Sequence, residues 1–436
     1  MNQKKSYRTA FIFVTILFFL WGLLTVLVDS LIPRLREVFT LTYFQAGMVQ
    51  FAFFGAYFLL SIPAGYILSK IGYKKGIILG LFTMAAGCLL FWPAASYRIF
   101  GIFMLGYFIL AGGITILQVA ANPYVTILGS EETASSRLNL SQAFNSLGTA
   151  IAPLLGALFI LSDKVMTSEE IAFMTEAEQR AYYVSEASAV QIPFLGIALF
   201  IILIAMVFMF VKLPTVTDKE ASNNYGEVLK NKNLVLGAIG LFFYVGAEVA
   251  LGSYMVNYFL SLDLAATIRE TGFMRTIAGW LLNTGVSVST DMALVGVFVT
   301  FYWTGAMIGR FIGSYLTKII NPAKVLSFFA VCAIGLIVIS NLSTGLIAMW
   351  TILAVGLFNS IMFPTIFSLA LDGLGDNKPQ GSGILCTMIV GGAIIPPAFG
   401  FLTDSFNFNI ALILVMGCYA YILFYGYRHK KTEVSI

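Results

Sequence analysis

Apolar positions in this chain come in long unbroken blocks rather than in an alternating or heptad pattern. Twelve blocks can be bounded, near 9–33, 43–69, 75–96, 99–128, 138–162, 190–213, 234–261, 290–317, 323–342, 345–371, 382–403 and 408–427. Each is about 20 residues or longer, the length at which a helix crosses a hydrocarbon core of about 30 Å. Membrane barrel strands are excluded, because they alternate apolar with polar and run to only about ten residues. The first block is too long for the apolar core of a signal peptide, and no small-residue cleavage site closes it. The pattern predicts an all-α membrane protein of twelve transmembrane helices. It divides into an N-terminal six-helix half at 1–213, a polar linker at 214–233 and a C-terminal six-helix half at 234–436.

The two halves echo each other. Gly65-Tyr-Ile-Leu-Ser69-Lys70-Ile71 follows the second block, and Gly313-Ser-Tyr-Leu-Thr317-Lys318-Ile319 follows the eighth. Asn122-Pro123 in the fourth is matched by Phe363-Pro364 in the tenth, and Gly148 and Pro153 in the fifth by Gly391 and Pro396 in the eleventh. Three echoes in register predict a parallel six-span repeat about an axis along the membrane normal. Basic residues orient the chain. With both termini on one side, that side collects 18 of the 25 Lys and Arg residues, and the other collects 7. Positive residues concentrate on the cytoplasmic side, so both termini are expected there, in a cell (inner) membrane.

Composition sharpens this picture. Hydrophobic residues make up 59% and charged residues 11%, with a mean hydropathy of +0.90. A soluble domain carries about 25% charged residues, so this chain lacks the polar surface to cover itself in water. Its surroundings are the lipid bilayer. Cys88, Cys332, Cys386 and Cys418 all lie in apolar blocks without ligand spacing, and the one histidine is His429 in the basic tail. Metal sites and histidine-based catalysis are therefore not expected. No phosphate-binding loop is present, which excludes a nucleotide-driven pump, and no nucleic-acid partner is expected.

Two acids sit inside blocks, Asp29 in the first and Glu248 in the seventh. A carboxyl group in a membrane helix costs about 2.5–3.5 kcal/mol or more and normally faces a cavity or partner. Burial lets it hold a proton near neutral pH, and a carboxylate also suits a hard cation such as sodium. Uncharged polar groups cluster too. Gln118 and Asn122 share a face of the fourth block, Gln142 and Asn145 a face of the fifth, and Asn359 lies in the tenth. Amides offer both donors and acceptors, which a ring of sugar hydroxyls needs; joining helices is the alternative use for each one. Two segments between blocks, 163–188 with its glutamates and 263–289 around Trp280, are expected to be solvated caps. The second could also form an interfacial helix or a re-entrant piece.

Gly65 to Lys75 reads G-x-x-x-S-K-x-G-Y-K-K. It resembles the loop between the second and third spans of major facilitator proteins, with serine where aspartate is usual. Gly65, Lys70, Gly72, Lys74 and Lys75 are thereby expected to form a gating latch. The stretches Gly113 to Gly129, Ser135 to Gly148, Gly356 to Gly375 and Gly381 to Pro397 resemble the fucose–galactose–glucose symporter family of that superfamily. The resemblance covers nearly all spans, and is strongest to the glucose/galactose branch. It implies the major facilitator fold, alternating access and uptake of a monosaccharide driven by a coupling cation, H+ or Na+, with no other cofactor and no enzyme activity. It also implies that Asp29 takes part in coupling and that Gln142 and Asn145 contact sugar. At Gln118 the fucose-transporting branch has a second essential glutamate, so a two-acid mechanism is not expected and Glu248 is a candidate to share the coupling. Val28 and Phe363 replace an asparagine and a tyrosine of the family pattern. The chain is expected to act as a monomer. An exporter of lipophilic compounds and a non-transporting sugar sensor are the alternatives. The first would show aromatics and acids without amide pairs, and the second an appended soluble domain.

Overall fold

The computed structural model describes residues 2–38, 43–159, 173–214, 225–282 and 289–434. The side chains at 2–6, 29–48, 50, 154–159, 180, 181, 183, 186–190 and 430–434 lie outside that description. The described chain is helical with no strand. Its helices are α1 (Asn2–Val38), α2 (Tyr43–Tyr97), α3 (Phe100–Ile127), α4 (Ala134–Phe159) and α5 (Glu176–Phe210). They continue with α6 (Lys232–Ser261), α7 (Leu264–Glu270), α8 (Gly272–Leu281), α9 (Asp291–Gly296) and α10 (Val299–Ile319). The last are α11 (Pro322–Leu342), α12 (Gly345–Asn359), α13 (Met362–Ala370), α14 (Lys378–Thr387), α15 (Gly391–Ser405) and α16 (Phe408–Val434).

These helices account for the twelve spans read from the sequence. Ten described stretches are long and apolar enough to cross a membrane. Two further spans arise as follows. The stretch α2 is one helix only nominally, because Gly72 at φ 78° and ψ 166° breaks it between its two apolar blocks. A positive φ is reached readily by glycine and rarely by other residues. The fifth span, α4, is diluted by Ser135, Ser136, Arg137, Asn139, Gln142 and Asn145, the polar face that singled it out in the sequence. Three spans are interrupted within their length. The eighth is α9 and α10, the tenth is α12 and α13 with a turn at Ser360–Ile361, and the eleventh is α14 and α15 around a 3-10 turn.

Contacts gather the described chain into two units. The first holds residues 1–129, 144–228 and 374–387; the second holds 130–143, 229–373 and 388–436. In the first, α3 lies along the second part of α2, where Gly80 and Gly113 pack backbone to backbone. Phe91 stacks on Phe194 of α5 with ring centroids 3.9 Å apart. The α14 segment packs on the first part of α2. A Cβ on Gly65 would come 2.8 Å from the Pro379 carbonyl, and one on Gly383 would come 2.7 Å from that of Ser61. In the second unit, the first turns of α4 are held by paired hydroxyls. Ser136 Oγ donates to the Ser314 carbonyl at 2.7 Å, and Ser314 Oγ donates back to that of Ser136 at 3.0 Å. Asn139 Nδ2 donates to Thr365 Oγ1 at 3.1 Å. Hydroxyls that bond a facing backbone let two helices meet without a bulky side chain between them, the usual way helices associate where lipid removes the hydrophobic drive.

The segments between spans are only partly described. Residues 160–172 and 283–288 lie outside the described residues. From Glu176 onward the first of these segments is helix, continuous with the sixth span, and it opens on a capping box in which Thr175 and Glu178 bond each other. Those bonds hold the exposed Glu178 carboxyl below the usual carboxylate range. The second segment folds as α7 and α8, with α7 tied to α9 by an ion pair from Arg269 to Asp291 at 2.6 Å and Trp280 exposed. The glycine contacts generate a test. Gly356 on α12 touches α10 so closely that an added Cβ would overlap the Tyr302 carbonyl, whereas Gly335 on α11 has open space. Gly356→Leu is expected to destabilise the protein by about 1–3 kcal/mol or more. Gly335→Leu is expected to leave the thermal midpoint in detergent near wild type; equal midpoints for the two would refute the packing.

Candidate functional site

Each half carries one amide in the same local setting. Gln118 stands five residues before Pro123 in α3, and Asn359 stands five before Pro364 at the end of α12. Both donate to a tyrosine of another span. Gln118 Nε2 bonds Tyr57 Oη of α2 at 2.7 Å, and Asn359 Nδ2 bonds Tyr302 Oη of α10. In both, the amide oxygen is buried and has no partner among the described residues. Leaving such an acceptor unmade costs about 1–3 kcal/mol, so two of them in repeated positions point to a ligand; an amide oxygen accepts from a hydroxyl and also coordinates a hard cation.

The prolines explain why these positions are polar. A helical N–H bonds the carbonyl four residues earlier, and proline has none to give. Pro123 therefore frees the Val119 carbonyl and Pro364 frees that of Ser360. Each is taken by a side chain: Ser382 Oγ donates to Val119 O at 2.8 Å, and Arg310 Nε donates to Ser360 O at 3.1 Å. Buried away from water, a freed carbonyl needs such a partner. The proline positions thus set where polar side chains must gather in each half.

The remaining residues singled out in the sequence fall as follows. Asn122 is fully buried on α3, one turn from Gln118. Gln142 is buried on α4 and belongs with the second unit, while Asn145 belongs with the first. Asn145 Nδ2 holds the Phe18 carbonyl of α1 at 2.9 Å, where Gly22 gives it room. At least one of its hydrogens therefore joins helices. Asp29 is part of α1, but its side chain lies outside the described residues. Glu248 sits near the middle of α6, its Oε1 accepting from Tyr244 Oη one turn away at 2.7 Å. Of the residues expected to form a latch, Gly65 makes the close approach to α14, and Gly72 provides the break in α2. Lys70 lies over the Tyr66 ring at 4.2 Å, Lys74 Nζ donates to the Met209 carbonyl at the end of α5 at 2.9 Å, and Lys75 is exposed.

Sequence reasoning overlooked Arg310, Tyr244, Tyr302 and Tyr57. Arg310 stands mid-helix in α10, with nine residues of helix after it. Its Nε donates to the Ser360 carbonyl at 3.1 Å. The signal was present, since an arginine flanked by Met307-Ile308-Gly309 and Phe311-Ile312-Gly313 is an intramembrane ion. The tyrosines carried no signal of their own among 20 in the chain; only contact with an amide or a carboxyl group marks them.

A model of the Major Facilitator Superfamily matches residues 10–397. The chain is similar to a glucose/galactose transporter of Brucella abortus (strain 2308), 48% identical over 434 residues that cover 99% of this chain and 96% of the relative. It is also similar to an L-fucose-proton symporter of Escherichia coli (strain K12), 35% identical over 444 residues, covering 100% and 96%. Its fold resembles the crystal structure of a major facilitator transporter, FucP, in the outward conformation. The TM-score is 0.85 at 34% identity, covering 97% of this chain and 99% of that one. The proline-freed carbonyl gives a test within the first unit. Ser382→Ala is expected to cost about 1–3 kcal/mol of stability by leaving Val119 O unpaired, whereas Ser382→Thr, which keeps the hydroxyl, is expected to cost less. Equal melting of the two variants in detergent would show that the bond contributes nothing.

Proposed function

This chain belongs to the major facilitator superfamily, and from that premise we propose that it imports a hexose of the glucose/galactose type by cation-coupled symport with alternating access. The observation that carries the reading is the repeated amide, Gln118 and Asn359, which gives a hydrogen to a tyrosine and holds a buried oxygen without a partner among the described residues. An amide oxygen accepts from a sugar hydroxyl and gives nothing to a lipophilic molecule. The names of the relatives support the substrate class, and the glucose/galactose transporters are more similar to this chain than the fucose symporters are.

Sugar contacts are assigned to Gln118, Asn122 and Asn145 in the first unit and to Gln142 and Asn359 in the second. Coupling is assigned to Asp29 and Glu248, with H+ or Na+ as the transported cation. Gly65, Lys70, Gly72, Lys74 and Lys75 form the latch. Halves at 1–213 and 234–436, joined by a linker at 214–233, rock as bodies in a monomer seated in the cell membrane with both termini cytoplasmic.

Proteoliposomes given labelled glucose, galactose, fucose or N-acetylglucosamine, with sodium and proton gradients imposed separately, test the reading. Accumulation of glucose or galactose under one gradient is expected. No accumulation of any of these sugars under either gradient would overturn it. Gln118→Ala and Asn359→Ala are each expected to weaken sugar binding about 5- to 150-fold, the equivalent of about 1–3 kcal/mol. Wild-type affinity in both would return these amides to a purely structural role. In Asp29→Asn, gradient-driven accumulation is expected to collapse while sugar exchange persists, because only the charge step is lost. Unchanged accumulation would remove Asp29 from coupling.

A further inference from the structure

The segment that joins the seventh and eighth spans carries large apolar side chains that the protein leaves uncovered. It departs from α6 at Ser261 and enters α9 at Asp291, so both of its ends sit at one membrane boundary. Within it, α7 packs on α6, α9 and α12. The ion pair from Arg269 to Asp291 fastens the last turn of α7 to the first turn of α9. The segment is thereby held against the ends of these spans, and α8 packs in turn on α7. At about 100° per residue, Phe273, Ile277 and Trp280 form one stripe along α8, and Met274, Ala278 and Leu281 form the adjoining one. The protein covers only the second. Met274 and Ala278 are 1% and 0% exposed, whereas Phe273 and Trp280 are 70% and 83% exposed. The rest of the helix surface is Gly272, Arg275, Thr276 and Gly279, all exposed.

Lipid is the cover that this arrangement fits. An amphipathic helix with tryptophan and phenylalanine on one face and a cation on the other lies flat in the headgroup region, and tryptophan is enriched at that depth. Arg275 is the charge of α8, and it stands about half a turn around the helix from the stripe of Phe273 and Trp280. Thr276, at the edge of the polar face, donates its hydroxyl to the Gly272 carbonyl of its own helix at 3.0 Å and needs no outside partner. Apolar exposure continues at the start of the neighbouring α9, where Met292 is 60% exposed. We propose that α8 is an interfacial helix that seats Phe273, Ile277 and Trp280 at the boundary between lipid headgroups and acyl chains, with Arg275 turned to the aqueous side. With both termini cytoplasmic, as proposed above, that surface is the outer leaflet. The helix then pins the outer ends of the seventh and eighth spans, which carry Glu248 and Tyr302, at a fixed depth in the bilayer.

Nitroxide labels test the placement in the full chain, reconstituted in nanodiscs of phosphatidylcholine and phosphatidylglycerol. Cys332 is first replaced by serine, because Cys88, Cys386 and Cys418 are buried. Phe273→Cys, Trp280→Cys, Arg275→Cys and Gly279→Cys are then labelled one at a time. Collision with oxygen, which concentrates in lipid, is compared with collision with a water-soluble nickel chelate. Labels at positions 273 and 280 are expected to collide mainly with oxygen, and labels at 275 and 279 mainly with nickel. Nickel dominating at all four positions would make α8 a solvated cap and overturn the proposal. Weak collision with both reagents at 273 and 280 would show a protein cover, from a second copy or another chain, and overturn it as well. Should a labelled variant fail to fold, the fluorescence that the wild type has and Trp280→Phe lacks reports the same placement without a label. That component is expected to be quenched by lipids brominated in the upper acyl chain; quenching by aqueous iodide alone would refute the seating. Sugar movement enters none of these readouts, so a failure of the symport reading leaves the test intact.

Discussion

In hydrocarbon a backbone carbonyl has no water to turn to, and the chemistry of this protein follows from where that rule is broken. Pro123 and Pro364 each remove a helical donor, at the same distance from an amide side chain. The freed carbonyls of Val119 and Ser360 cannot be left bare, and Ser382 and Arg310 reach them from neighbouring helices. A single backbone constraint thus recruits polar side chains from other spans to one level of each half. Once a polar patch exists there, further polar groups are tolerated beside it. Gln118 with Tyr57 and Asn359 with Tyr302 occupy those places.

Packing around the breaks depends on small residues for a related reason. Lipid tails are as apolar as leucine, so helices gain little from hiding apolar surface and associate instead through close contact and hydrogen bonds. Gly356 against Tyr302, Gly391 against Phe242, and Gly113 against Met84 bring backbones together. Where glycine is not used, hydroxyl pairs such as Ser136 with Ser314 serve. These contacts hold the spans that carry the amides. A substitution that separates the backbones would move a site residue without touching it.

Charge obeys the same economy. The carboxyl group of Glu248 has a phenol one turn away, and the guanidinium of Arg310 is tied to a proline-freed carbonyl. Guanidinium, break and amide are therefore joined through named contacts in one unit. The stretch from Gly65 to Lys75 shows a different balance. Lys70 and Lys74 satisfy themselves on a tyrosine ring and a helix-end carbonyl, and its tight part is the glycine Gly65 against Pro379.

Much of this molecule was legible in its sequence. The count of spans, the six-and-six repeat and the amides at 118, 122, 142, 145 and 359 follow from block length, echoes and polar residues in apolar surroundings. These are local properties: a helix in lipid satisfies its own backbone, so its existence and length are written in consecutive residues. Partnership is not local. That Asn145 spends a donor on Phe18 O, that Tyr57 and Tyr302 receive the two amides, and that Arg310 answers the Ser360 carbonyl depend on residues tens to hundreds of positions apart. Even the break at Pro364 was readable, but the side chain that answers it was not. A proline announces that a carbonyl is free, and only the packing of one helix on another decides which donor arrives.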